Sequence, residues 1–126
     1  MAATLNHTIV WCRDAAASAG FLAEILERPA PRPFHHFLVV DLDNGVSLDF
    51  MAKEGAVAMQ HYAFLVDEAG FDAGLARVQA RQLEWWADPA RTRPGEINTY
   101  GGGRGFYFLS PDGHLLELMT KPYPVA

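Results

Sequence analysis

The spacing of hydrophobic and polar positions changes period along the chain, and the whole pattern then repeats. "LNHTIVWC" (5–12) is rich in β-branched and aromatic residues and predicts a strand. In "AAASAGFLAEILER", Ala17, Phe21, Leu22, Ile25 and Leu26 recur at helical spacing behind Asp14 as an N-cap, and Pro29, Pro31 and Pro33 stop the helix. "FHHFLVVDL" (34–42) predicts a strand with His35 and His36 on opposite faces as structural residues. Asp43-Asn44-Gly45 predicts a type I′ hairpin turn, and "VSLDFM" (46–51) the returning strand. "QHYAFLV" (60–66) then starts a second cycle. Phe71, Leu75 and Val78 mark a helix, "LEWWA" (83–87) a short strand, and residues 88–103 a turn-rich loop. "RGFYFL" (104–109), the turn "SPDG" and "HLLELM" complete the cycle, with His114 exposed at the opening of the last strand. With a short strand at about 28–33 in the first cycle, the order is β-α-β-β-β twice.

The repeat can be checked residue by residue. At a shift of 54, "LNHTIVWCRD" falls on "MQHYAFLVDE" and His7 on His61. At a shift of 68, "NGVSLDFMA" falls on "DGHLLELMT", so Asp49 meets Glu117, Gly45 meets Gly113 and Met51 meets Met119. The second copy is therefore 14 residues longer, and the loop at 88–103 takes up the excess. The modules are 1–55 and 56–126 of a single domain.

Each copy places a histidine in its first strand and a carboxylate in its last. Leu48 and Phe50 flank Asp49; Leu116 and Leu118 flank Glu117. The last strand is apolar on both faces, and burying an unpaired carboxylate there costs several kcal/mol or more, so Glu117 needs a partner. If the copies pack as a pseudo-twofold pair, His7, Asp49, His61 and Glu117 converge. Two imidazoles with one or two carboxylates suit a borderline divalent cation, whose charge offsets the burial. Any one of these residues alone reads more simply as a core or surface side chain. The coincidence across two copies favours His7, His61 and Glu117 as ligands. Asp49, one methylene shorter, is the least secure fourth. Ile9 and Trp11 share the strand face of His7 and are candidate substrate contacts, against plain core packing.

Composition narrows the functional classes. The 126 residues carry a net charge of −5 with no basic stripe, which argues against a duplex nucleic-acid binder. A single cysteine, Cys12, excludes an internal disulfide and a cysteine-based zinc motif. "MAATLNHTIV" lacks a signal-peptide pattern and no apolar run reaches about 20 residues, so a cytoplasmic protein without a membrane partner is expected. "GGGRG" (101–105) lacks the Lys-Ser/Thr and following helix of a phosphate-binding loop and reads as a tight-turn or flexible segment. Trp85 and Trp86 pack in the core or at a dimer seam.

Paired βαβββ modules, a histidine opening each, a carboxylate near each end, and the pieces "LNHT", "HYAFLV" and "FYFLSPDGHLLEL" together resemble the vicinal oxygen chelate superfamily. That group includes glyoxalase I, extradiol dioxygenases, and fosfomycin- and bleomycin-resistance proteins. The resemblance covers essentially the whole chain and specifies the superfamily better than the reaction. It implies an α+β fold of two pseudo-symmetric βαβββ modules forming a cupped open sheet, assembled as a homodimer. It also implies a divalent metal ion (Fe, Ni, Mn, Zn or Co) on His7, His61 and Glu117, with the additional glyoxalase-type carboxylate falling on Asp49. Glu117 or Asp49 then exchanges between ligand and general base, and Tyr107 and Arg104 join Ile9 and Trp11 as candidate substrate contacts. Ile9 replaces the polar residue of the fosfomycin transferases, and "GGGRG" replaces their potassium loop, which lowers that subtype. The expected activity is that of a metal-dependent lyase, isomerase or dioxygenase acting on a small substrate with vicinal oxygens. The alternative is a non-catalytic, drug-sequestering module of the bleomycin-resistance type.

Overall fold

The computed structural model describes residues 1–123. The chain divides into two compact units, Met1–Ala58 and Met59–Ala126, and each is an α+β module of the predicted β-α-β-β-β order.

The first unit contains β1 (His7–Cys12), α1 (Ala15–Ile25), β2 (Arg32–Phe34), β3 (Phe37–Asp41) and β4 (Ser47–Ala52). Its sheet runs in the order β1-β4-β3-β2; β1 is parallel to β4 and the other pairs are antiparallel. The strand period of two sends Val10, Cys12, Val40, Leu48 and Phe50 into a core shared with Ala19, Leu22, Ala23 and Ile25 of α1. The opposite face carries His7, Ile9 and Trp11 on β1 beside Ser47, Asp49 and Met51 on β4. Asp14 caps α1 as predicted, its carboxylate accepting the Ala17 N–H at 3.0 Å. The helix ends before the proline run. Glu27 adopts φ 55°, and the N–H of Arg28 returns to the carbonyl of Ala23 in a Schellman closure.

Two turns differ from expectation. Phe34 pairs with Phe37, so His35 and His36 form the β2–β3 hairpin turn rather than alternating along a strand. His35 supplies its left-handed residue at φ 52°, and the predicted strand at about 28–33 is Arg32–Phe34. At 43–45 only Gly45 has positive φ (78°), and the Leu42 N–H bonds to the Val46 carbonyl. This is a three-residue loop closed by a left-handed glycine, not a type I′ turn, which needs positive φ at both central residues.

The second unit contains β5 (His61–Leu65), α2 (Glu68–Ala80), β6 (Trp85–Trp86), β7 (Gly105–Leu109) and β8 (Leu115–Met119), in the matching order β5-β8-β7-β6. Phe64, Phe106, Phe108, Leu116 and Leu118 form the helix-side core with Phe71 and Val78 of α2. The rings of Phe71 and Trp85 meet Phe106 edge-on at 5.3 and 6.0 Å. The Schellman closure recurs at Gln82 and Leu83, and the glycine-closed loop recurs at Gly113, with Ser110 N–H bonding to the His114 carbonyl.

His114 is not exposed. Only 2 % of it is accessible, because its Nδ1 accepts the Gln60 N–H at 2.9 Å at the mouth of the β5–β8 pair, and its ring meets Tyr62 edge-on. Among the described residues, no helix is long and apolar enough to cross a membrane.

Candidate functional site

The second unit answers how a carboxylate can sit at the centre of β8. Glu117 is fully buried and lies opposite Ala63 on β5 and Tyr107 on β7. His61, two positions back along β5, therefore reaches it diagonally, with Nε2 3.1 Å from Glu117 Oε1. The other carboxylate oxygen, Oε2, accepts a hydrogen bond from the Tyr123 hydroxyl. That hydroxyl in turn lies 2.8 Å from the Tyr107 hydroxyl. With Tyr123 committed as donor to Glu117, it accepts from Tyr107, and a directed chain runs Tyr107 to Tyr123 to Glu117. Burial pushes the Tyr107 phenol well above its ordinary range and raises that of Tyr123, and the nearby Glu117 charge adds to both, so both remain proton donors.

The His61 ring has a determined orientation. Nδ1 lies 2.9 Å from the Leu115 carbonyl, which can only accept, so Nδ1 carries the proton. In the neutral imidazole the lone pair is then on Nε2 and faces Glu117 Oε1. Two acceptors so placed require a shared proton or a cation. Metal-ligating histidines are held in this way, their second ring nitrogen donating to a carbonyl or carboxylate. The chemistry of this donor set thus fits a divalent cation. The histidine side chain is 46 % exposed, so the ring edge reaches solvent.

The first unit repeats the register. His7 pairs with Ser47 and Ile9 with Asp49, so Asp49 stands to His7 as Glu117 stands to His61. His7 Nδ1 lies 2.7 Å from the Asn6 side-chain oxygen, which again leaves Nε2 as the free acceptor, here on an exposed side chain. The shorter Asp49 is buried and takes the Ser47 hydroxyl at 3.0 Å on Oδ1. Ile9 and Trp11 are 39 % and 42 % exposed on the His7 face of β1. Among the described residues, no three His, Cys, Asp or Glu side chains are clustered so as to hold a metal ion. The predicted set thus divides into a joined pair, His61 with Glu117, and the residues His7 and Asp49 on the other unit's sheet.

Two candidate substrate contacts have different surroundings. Tyr107 is buried, stacks on His61 with centroids 5.9 Å apart, and belongs to the Glu117 hydroxyl chain. Arg104 is held by α2: its guanidinium pairs with Glu68 at 2.6 Å and Asp72 at 2.9 Å and lies 4.3 Å over the Phe71 ring. Sequence reasoning missed Tyr123, which lies beyond the last strand and has no periodic signal. It also missed Ser47, whose only mark is its place two residues before Asp49.

No protein-family model matches the chain. Among solved structures, it superposes on the oxidase ChaP-H1 with a TM-score of 0.96 at 56% identity, covering 98% of this chain and 100% of that one. The oxidase ChaP-H2 gives 0.95 at 50% identity, covering 98% and 97%. The fosfomycin resistance protein FosX from Listeria monocytogenes shares the fold at a TM-score of 0.72 and 22% identity, covering 97% and 96%. Among curated proteins, the metallothiol transferase FosB of Shouchella clausii (strain KSM-K16) is 38% identical over 72 residues. That match spans 57% of this chain and 45% of the transferase, less than half of that relative's length. The chain belongs to the vicinal oxygen chelate superfamily, in the family of the oxidases ChaP-H1 and ChaP-H2.

Proposed function

We propose that this chain is a metal-dependent oxidising enzyme, of dioxygenase type, acting on a small organic substrate with two adjacent oxygen atoms. The observation that carries the reading is the fixed tautomer of His61, which turns the Nε2 lone pair toward the buried Glu117 carboxylate. Identity of 56% and 50% with two oxidases supports the oxidative branch over the lyase and isomerase branches.

In this reading, His61 Nε2 and Glu117 Oε1 would hold the ion, and His7 would supply the second histidine of a two-histidine, one-carboxylate set, from the same chain or from a second copy. When bound, the ion supplies Lewis acidity at positions left open for the two vicinal oxygens. Asp49, with one oxygen oriented by Ser47, accepts the proton that a substrate hydroxyl gives up. Ile9 and Trp11 offer apolar surface to the substrate body, and Tyr107 holds the ring face of His61. The exposed apolar residues Ile9, Trp11 and Leu65 on β1 and β5 support assembly as a homodimer, checked by sedimentation.

The test is oxygen uptake by protein loaded anaerobically with Fe, Mn, Co, Ni or Zn. Ortho-dihydroxy aromatics and hydroxyquinones serve as substrates, with α-keto hemithioacetals as the isomerase arm. Oxygen consumption coupled to loss of an ortho-dihydroxy compound supports the proposal. Turnover of hemithioacetals alone moves the assignment to a glyoxalase-type enzyme. Tight ligand binding by metal-free protein without turnover of any class moves it to a sequestering module.

A further inference from the structure

We propose that Tyr123 is a positioning residue that holds Glu117 to a single ligating oxygen and so keeps one metal position open for substrate; this rests on the functional reading above. Glu117 has two oxygens with different fates. Oε1 faces His61 Nε2 at 3.1 Å, and Oε2 is occupied by the Tyr123 hydroxyl. A carboxylate whose second oxygen holds a hydrogen bond presents one oxygen to an ion, whereas a released carboxylate can rotate and chelate through both.

The hydroxyl is itself placed from several directions. Tyr107 lies 2.8 Å away and donates into it, which turns the Tyr123 proton toward Glu117. The Tyr100 ring meets the Tyr123 ring edge-on at 6.1 Å. The backbone leading to Tyr123 is anchored three residues earlier. Thr120 N–H bonds to the Arg104 carbonyl at 2.9 Å, and the Arg104 N–H bonds to the Thr120 hydroxyl at 2.8 Å. Gly103 makes room for this anchor, since a Cβ there would lie 2.7 Å from the Thr120 hydroxyl oxygen and 3.0 Å from the Lys121 nitrogen. The glycine-rich loop and the residues after β8 thus act together to deliver one phenol to one carboxylate oxygen.

The experiment uses the full chain loaded with Co(II), whose visible d–d absorption weakens as coordination number rises, and 4-nitrocatechol as a probe with two adjacent oxygens. Tyr123→Phe keeps the ring and removes only the donor. The expected result is retained Co(II) uptake, weaker d–d bands, and nitrocatechol binding weakened by about tenfold or more. Tyr107→Phe, which only loses the orientation of the Tyr123 proton, shifts both readouts in the same direction by less. Spectra and nitrocatechol affinity unchanged in both variants, with wild type binding Co(II), overturn this inference alone. Loss of Co(II) in Tyr123→Phe also overturns it, because releasing Oε2 then costs the ligand instead of closing a position. Failure of wild type to take up Co(II), Fe or Zn overturns the functional reading, and this inference with it.

Discussion

Replacing Glu117 with glutamine separates the cost of burying a charge from the use made of it. In metal-free protein, Glu117 Oε1 faces His61 Nε2 at 3.1 Å while the opposite ring nitrogen is committed to the Leu115 carbonyl. The pair must bind an extra proton or hold two lone pairs against each other, beneath a sheet surface where Glu117 is 0 % accessible. Glutamine has the same shape and removes the conflict. Its amide N–H donates to His61 Nε2 and its oxygen still accepts from Tyr123. Exchanging a buried carboxylate that faces a lone pair for a neutral, fully partnered group is neutral or stabilising, here by about 1–2 kcal/mol. For a chain of this length, about 1 kcal/mol corresponds to roughly 3–5 °C in Tm. Metal-free Glu117→Gln is thus expected to melt at or above wild type by up to about 6–10 °C in mildly alkaline buffer with EDTA. Added metal reverses the order. An ion at about one hundred times its Kd stabilises wild type by about 2.7 kcal/mol, and the neutral amide forfeits most of that. Calorimetry of both proteins with and without metal is the assay. A loss of more than about 2 kcal/mol in the metal-free variant would refute the reasoning, because the charge would then be part of what holds the sheet together. Equal metal-induced shifts in both proteins would place the ion elsewhere.

Three other outcomes follow from the packing. Gly105→Ala puts a Cβ 2.8–2.9 Å from the Asn98 amide, which is itself held by the Ala87 carbonyl at 2.8 Å. A destabilisation of about 1–3 kcal/mol in urea melts is expected, and an unchanged midpoint would contradict the packing. His114→Ala removes a buried ring and the acceptor for the Gln60 N–H, costing about 2–4 kcal/mol by the same measurement; a surface-like effect near zero would count against its burial. Burial raises the phenols of Tyr62, Tyr107 and Tyr123, so folding favours their neutral forms. Their stabilising contribution is complete below the unfolded-chain value of about 10 and is lost as pH climbs above it. Phenolate absorbance of the folded chain is expected to show these three ionising at higher pH than an ordinary phenol, and four phenols ionising together near that value in a folded chain would exclude it.

The features written as residue-type patterns were legible in the sequence. The period-two runs and the two helical stretches were readable because each buries one face against the other. Asp14 was readable as a cap because its chemistry is local. Features that depend on a distant partner were not. His114 beside a turn reads as a surface residue until the backbone N–H of Gln60 is brought to its ring. His35 and His36 read as strand because neither is Gly, Asn or Pro, yet His35 takes the left-handed conformation that the Phe34–Phe37 hairpin needs. Asn44-Gly45 signalled a turn correctly, but the extra loop residue decided its type. The need for a partner at Glu117 followed from its apolar neighbours, and His61 from the repeat. Tyr123 had no signal, because it reaches the carboxylate through chain reversal after β8 rather than through any periodicity. Arg104 stood out as a charge in a glycine-rich loop, and nothing local shows that Glu68, Asp72 and Phe71 of α2 surround it.

Metal content by mass spectrometry, on untagged protein beside a His61→Ala control, tests the central claim most directly. About one tightly held ion per chain in wild type, lost in the control, is the predicted result: Glu117 is buried because, with His61, it holds a metal. No ion in either sample after anaerobic reconstitution, or equal content in both, would contradict it and leave His61 and Glu117 as a proton-sharing pair inside the sheet.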